Sequence, residues 1–136
     1  MVASRQLPKA DVDAQTPFTL EFYEDKRGLE PAKRWMDDLD ANAQRVLAAA
    51  LEEVLAHQGI GVCGSEWGRQ LGGGLFEFRV RNDALLLRVF CHAYGDKVVL
   101  LLCGYDKGRD VSAKRQQKEI ERARRLLKEF RTGRAH

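Results

Sequence analysis

Three arginines fall where a short β-hairpin would bring them together. In Leu75-Phe76-Glu77-Phe78-Arg79-Val80-Arg81 the apolar residues alternate with charged ones. A strand sends successive side chains to opposite faces, so Phe76, Phe78 and Val80 point one way and Glu77, Arg79 and Arg81 the other. After a turn at Asn82-Asp83, Ala84–His92 reads as the next strand, with Leu86, Arg88, Phe90 and His92 on one face. If that face continues the charged face of its neighbour, Arg79, Arg81 and Arg88 converge. Lys107 and Arg109, just beyond a third strand, could close the ring. Four or five cations on a concave sheet suit phosphates. Arginine is apt because its planar fork holds two phosphate oxygens at once. The plainer reading is a solvated strand face with Glu77 paired among the arginines. His92 could serve as acid or base. Tyr105 and Tyr94 could hydrogen-bond or stack on a base, or simply pack.

Other chemistries find little support. Asp37, Asp38 and Asp40 cluster at a helix end, where capping explains them. No Ser/His/Asp arrangement stands out. Gly72-Gly73-Gly74 is not followed by Gly-Lys-Ser/Thr or by a helix, so it is not a P-loop. His57, His92 and His136 are scattered, and Cys63, Cys91 and Cys103 contain no CxxC pair. No metal and no cofactor is therefore expected. The odd cysteine count reads as reduced thiols of a cytoplasmic protein.

The elements that must carry these residues fit one domain: the chain has 136 residues. No purely apolar run approaches about 18 residues, so no membrane span is expected. The first residues lack the apolar core of a secretory signal. The net charge of +3 conceals an asymmetry: residues 105–136 carry 11 Lys+Arg against 5 Asp+Glu, whereas the rest is net acidic. A basic end of this kind fits a polyanion or an acidic partner, or a solvated helix.

Residues 1–16 are polar and read as a flexible tail, 17–130 as the domain, and 131–136 as a second tail. Phe18–Tyr23 reads as the first strand and Pro31–Leu39 as a helix with Pro in its first turn. Asp40 should cap a second helix whose apolar residues, from Ala43 to Leu55, recur at helical spacing, with Gly59 as its stop. Gly59 to Gly74 holds seven of the twelve glycines and reads as a loop. Three strands joined by short turns then form an antiparallel meander. The last, Val98-Val99-Leu100-Leu101-Leu102-Cys103, is apolar on both faces and should be covered on both. A helix over 111–130 follows, with Ile120, Ala123, Leu127 and Phe130 as its stripe. The order β-α-α-β-β-β-α makes an α+β fold: a small twisted, mainly antiparallel sheet with an α-helical hairpin packed on it and a C-terminal helix.

Taken together, GRQLGGGLFEFRV, LLRVFCHAYGDKVVLLLCGYDKGRD and AKRQQKEIERARRLLKEF resemble the RelE/HigB superfamily of toxins, closest to its phage-derived, HigB-like branch. Leu71, Gly74, Leu75, Phe76, Glu77 and Arg79 match that branch's K-x-L-x-x-G-L-Y/F-E-x-R element. Arg88, Val89 and Phe90 match Y-R-V-x-Y; Tyr105 and Lys107 match F-x-K-K; Glu119, Ile120 and Ala123 match the helix element E-I-x-x-A. The resemblance implies a RelE-like fold and a type II toxin–antitoxin toxin. Its activity would be that of a metal-independent endoribonuclease, an mRNA interferase that cuts mRNA on the ribosome and inhibits translation. The substrate's own 2′-OH would attack. Arg79, Arg88 and Lys107 would be the catalytic residues; Arg81, Arg109, His92 and Tyr105 would contact RNA. A helix-turn-helix antitoxin would be the partner, in a heterotetramer or similar assembly. Gly108 replaces the second lysine of F-x-K-K, and no Tyr or His follows Arg109 before His136, so the proton shuttle is unassigned, with His92 and Tyr105 as candidates. Two other readings remain: a ParE-like toxin that binds DNA gyrase without cutting RNA, and an inactive phage-derived antitoxin-binding protein.

Overall fold

The computed structural model describes residues 17–134; the expected tail at 1–16 and the chain's last two residues lie outside them. Five strands form one mixed sheet in the order β1-β5-β4-β3-β2. They are β1 (Thr19–Phe22), β2 (Gly68–Gly72), β3 (Leu75–Asn82), β4 (Leu85–Tyr94) and β5 (Val98–Asp106). β1 runs parallel to β5, and the other pairings are antiparallel. The fold is α+β, consistent with a RelE-like architecture.

Helix α1 (Pro31–Asp37) begins on a proline, whose missing N–H costs nothing in a first turn. Helix α2 (Ala41–Ala50) is capped by Asp40, whose side chain accepts from the Ala43 N–H at 2.8 Å. It continues through a π-helical turn (Leu51–Leu55) and a final turn (Ala56–Gln58). Gly59 ends it with φ +54, and a Cβ there would lie 2.6 Å from the Phe18 ring, so both backbone and space demand glycine. By length and composition the run Ala41–Gly64 could cross a bilayer, contrary to the sequence expectation, because its leucines, valines and isoleucine outweigh its charged residues in mean hydropathy. Glu52 and Glu53 interrupt it, and Leu47, Leu51, Leu55 and Val62 are buried in the domain core. It is used here as a core helix.

The glycine-rich loop holds more structure than its composition implied. Gly59–Gly64 forms a 3-10 turn, and Gly68–Gly72 is the edge strand β2, paired to β3. Its pairing partners, not its own propensity, make it a strand. C-terminal helix α3 (Ala113–Arg134) runs four residues past the expected domain end at 130.

The sheet lies between two apolar clusters. Phe76, Phe78, Val80, Leu87, Val89, Cys91, Val99 and Leu101 meet α1 and α2 on one face. Leu75, Phe90, Leu100, Leu102, Cys103 and Tyr105 meet Ala123, Leu126 and Leu127 of α3 on the other. β5 is therefore covered on both faces, as its apolar run required.

One irregularity decides which side chains meet. Phe90 pairs with Cys103 but Cys91 pairs with Leu101, leaving Leu102 as the extra residue of a bulge. Before it, odd-numbered β5 residues face α1 and α2; after it, Cys103 and Tyr105 face α3. The bulge also turns Gly104 toward the Trp35 ring, where a Cβ would sit 2.5 Å from ring carbons.

Candidate nucleic-acid interface

On the α3 side of the sheet, beyond where that helix covers it, a cavity of about 330 Å³ is lined by Glu66, Trp67, Arg79, Arg81 and Arg88. Strand alternation sends Arg79, Arg81 and Arg88 to this side, and the β3–β4 register sets Arg79 opposite Arg88. A turn at Asp83-Ala84, with Asp83 at φ 54, holds that register.

Beneath the arginines lies Glu77, a carboxylate with no solvent exposure. Its Oε1 accepts from Arg79 Nε at 2.8 Å and stands 3.8 Å from Arg88 Nε; its Oε2 has no hydrogen-bond partner. Arg88 is 3% exposed, yet its guanidinium is poorly satisfied. Nη1 makes one long bond, 3.5 Å, to the Leu87 carbonyl, and Nε has no hydrogen-bond partner. Burial pushes its pKa below the ordinary arginine value, and the Glu77 charge offsets part of that. A guanidinium has five N–H donors. This one keeps most of them uncommitted at the floor of an open cavity, which is the chemistry of an anion site.

The other expected site residues lie elsewhere. Tyr105 pairs with Arg88 across β4 and β5, but it is 1% exposed and stacked parallel on Phe90. No base can stack on it. The Arg115 guanidinium lies over its ring at 5.3 Å. Burial raises its pKa, and the Glu77 charge raises it further, so the hydroxyl is held protonated. His92 is at the opposite end of β4, with Nδ1 2.8 Å from the Gly74 carbonyl oxygen and its ring beside Tyr94 and Phe130. Arg109 is exposed and pairs with Asp106 at 3.6 Å. Neither Lys107 nor Arg109 lines the cavity, because the chain turns at Asp106 and ties Lys107 N–H to the Leu86 carbonyl.

Two cavity residues carry no signal in the local sequence pattern. Glu66 and Trp67 precede β2 in what reads as a glycine-rich loop, and only the pairing of β2 with β3 brings them beside the arginines. Trp67 stacks on Phe78 with centroids 6.0 Å apart. The basic C-terminal helix also has structural duties. Arg124 donates to the Gly72 and Leu71 carbonyls at 3.1 and 2.6 Å, holding the β2–β3 turn. Arg115 pairs with Glu119 at 2.7 Å.

A family model described as phage-derived protein Gp49-like (DUF891) matches residues 34–128, from α1 through most of α3. The chain belongs to that Gp49-like family. The match spans every residue of the arginine cavity and stops short of β1. No curated protein matches the chain. Among the described residues of this Gp49-like protein, no group of three or more His, Cys, Asp or Glu is placed to hold a metal ion. Its three cysteines are unbridged.

Proposed function

We propose that this Gp49-like protein is the toxin of a type II toxin–antitoxin pair: a metal-independent endoribonuclease that cuts mRNA on the ribosome. The observation that carries the reading is Arg88, a buried guanidinium with uncommitted donors at the floor of a cavity that Arg79 and Arg81 share. The resemblance to the RelE/HigB superfamily supplies the reaction. The ribose 2′-oxygen attacks the adjacent phosphorus, the P–O5′ bond breaks, and a 2′,3′-cyclic phosphate forms. That reaction needs an oriented phosphodiester, a proton acceptor, a proton donor and neutralisation of the charge on the phosphorane. Arg88 and Arg79 would take the non-bridging oxygens, and Arg81 at the exposed edge would hold a neighbouring phosphate. Glu66 is the carboxylate lining the cavity, so the 2′-hydroxyl proton is assigned to it. Water protonates the leaving 5′-oxygen. Lys107, Arg109 and His92, away from the cavity, are left to contacts with RNA outside the reacting phosphate. The cytoplasm follows from the ribosome as partner, and a helix-turn-helix antitoxin would neutralise the protein.

The test is induction in cells without an antitoxin, followed by mapping of mRNA 5′ ends. Growth arrest with new, translation-dependent ends is expected for the wild type and is lost in Arg88→Lys, which keeps the charge but not the fork. Arrest with intact transcripts would overturn the nuclease reading in favour of a gyrase-binding toxin, and normal growth in favour of an inactive antitoxin-binding protein.

A further inference from the structure

Glu77 is an expensive residue to bury. A carboxylate taken wholly out of water forfeits its hydration, and only close, well-made contacts repay it. Here the compensation is incomplete: one short bond to Arg79, one 3.8 Å approach to Arg88, and an Oε2 with no hydrogen-bond partner. An apolar residue at this position would extend the Leu75 and Phe90 face of the sheet at no such cost. Nor is Glu77 placed to react, since none of it is exposed and it does not line the cavity. Its effect is on its two neighbours. Arg79 and Arg88 sit directly across the β3–β4 ladder, where like charges repel. One oxygen of Glu77 draws both guanidiniums toward a common point.

We propose that Glu77 is a positioning residue that fixes the Arg79 and Arg88 guanidiniums side by side so that one phosphodiester is gripped by both forks. The inference rests on the nuclease reading of the same cavity. Donors fixed before the substrate arrives need no reorganisation as charge develops, which is what makes them effective in the reaction step. Glu77 also lowers the positive charge under the cavity, so it opposes ground-state attraction of RNA while aiding the chemistry. Binding and catalysis should therefore part company in its variants.

The experiment measures steady-state cleavage of mRNA on ribosomes by wild type, Glu77→Gln and Glu77→Asp, with KM and kcat separated. Glu77→Gln removes the charge; Glu77→Asp keeps it but withdraws it by one methylene. Both should lower kcat by about 10²-fold, the usual scale for a misplacement near 1 Å, while KM stays level or falls. A general loss of structure would instead raise KM and lower the thermal midpoint together with kcat. Wild-type kcat in a folded Glu77→Asp overturns the proposal. A third measurement needs no substrate: the Nε–Hε resonances of Arg79 and Arg88 in the free wild-type protein and in free Glu77→Gln. Two resolved, slowly exchanging signals are expected in the wild type and averaged ones in Glu77→Gln; averaged wild-type signals, or a Glu77→Gln spectrum like the wild type's, overturn the proposal. A wild type that leaves mRNA intact counts against the nuclease reading, whereas the arginine resonances still decide whether Glu77 fixes the pair.

Discussion

Arg79 and Arg88 face each other directly across β3 and β4, and Glu77 Oε1 lies 2.8 Å from the first and 3.8 Å from the second. Two like charges opposite one another oppose sheet pairing. The pair is tolerated because the intervening carboxylate is buried with it, so the three residues behave as one unit.

That unit changes what an arginine substitution means. Regarded as a strand position alone, Arg88 looks removable without structural cost. Its 3% exposure and its place over Glu77 show otherwise. Arg88→Ala should lower cleavage by about 10²–10³-fold, the scale for losing one oxyanion donor. It should also cost about 3 kcal/mol of stability by leaving Glu77 less compensated. Urea melts beside cleavage assays check both. Full stability would contradict the buried unit, and full activity the phosphate assignment.

Arg81 offers a cleaner electrostatic test, being exposed at the edge of the cavity. Arg81→Gln should weaken binding to single-stranded RNA, and reduce the slope of log affinity against log salt by about 0.7, the value for one phosphate contact on a single strand. The unfolding transition should not move. Titrations at several salt concentrations read the slope; an unchanged slope removes Arg81 from the interface.

Gly104 is required by packing rather than by backbone conformation. An added methyl would lie 2.5 Å from Trp35 ring carbons and 2.8 Å from the Arg88 carbonyl oxygen. Gly104→Ala should therefore destabilise by about 1–3 kcal/mol, the range for overpacking. Because the displaced carbonyl belongs to Arg88, cleavage should fall as well. Denaturant midpoints measure the first effect, and wild-type values for both would show that the bulge relaxes freely.

Alkaline pH should unfold the protein before it affects the arginines. Burial pushes the Cys103 thiol up to about 12 and Cys91 well above its ordinary value, and burial with the Glu129 contact also raises Tyr23. A folded-state pKa raised above the unfolded one means the unfolded chain loses its proton first. The stability from these groups is therefore complete below about pH 9 and is lost as pH rises toward 12. A thermal midpoint that falls between these limits, with Cys63 alkylated before Cys91 and Cys103, is expected. A flat midpoint to pH 11 would contradict it.

Local pattern in the sequence determined much of this protein. The period-2 alternation of β3 and β4 fixes which side Arg79, Arg81 and Arg88 take, because successive strand side chains must point to opposite faces. The both-sided apolarity of β5, the Asp40 cap and the Gly59 stop are equally local and were legible for that reason. Tertiary structure alone decided the rest. The bulge at Leu102 turns Tyr105 and Gly104 to the faces opposite those that unbroken alternation would give them. The pairing of β2 with β3 brings Glu66 and Trp67, ten or more residues upstream, to the arginines. Packing against α3 carries His92 away to Phe130. Burial of Glu77 depends on strands on both sides of it. Each of these outcomes is a contact between distant segments, and alternation along a single strand carries no information about its register with another.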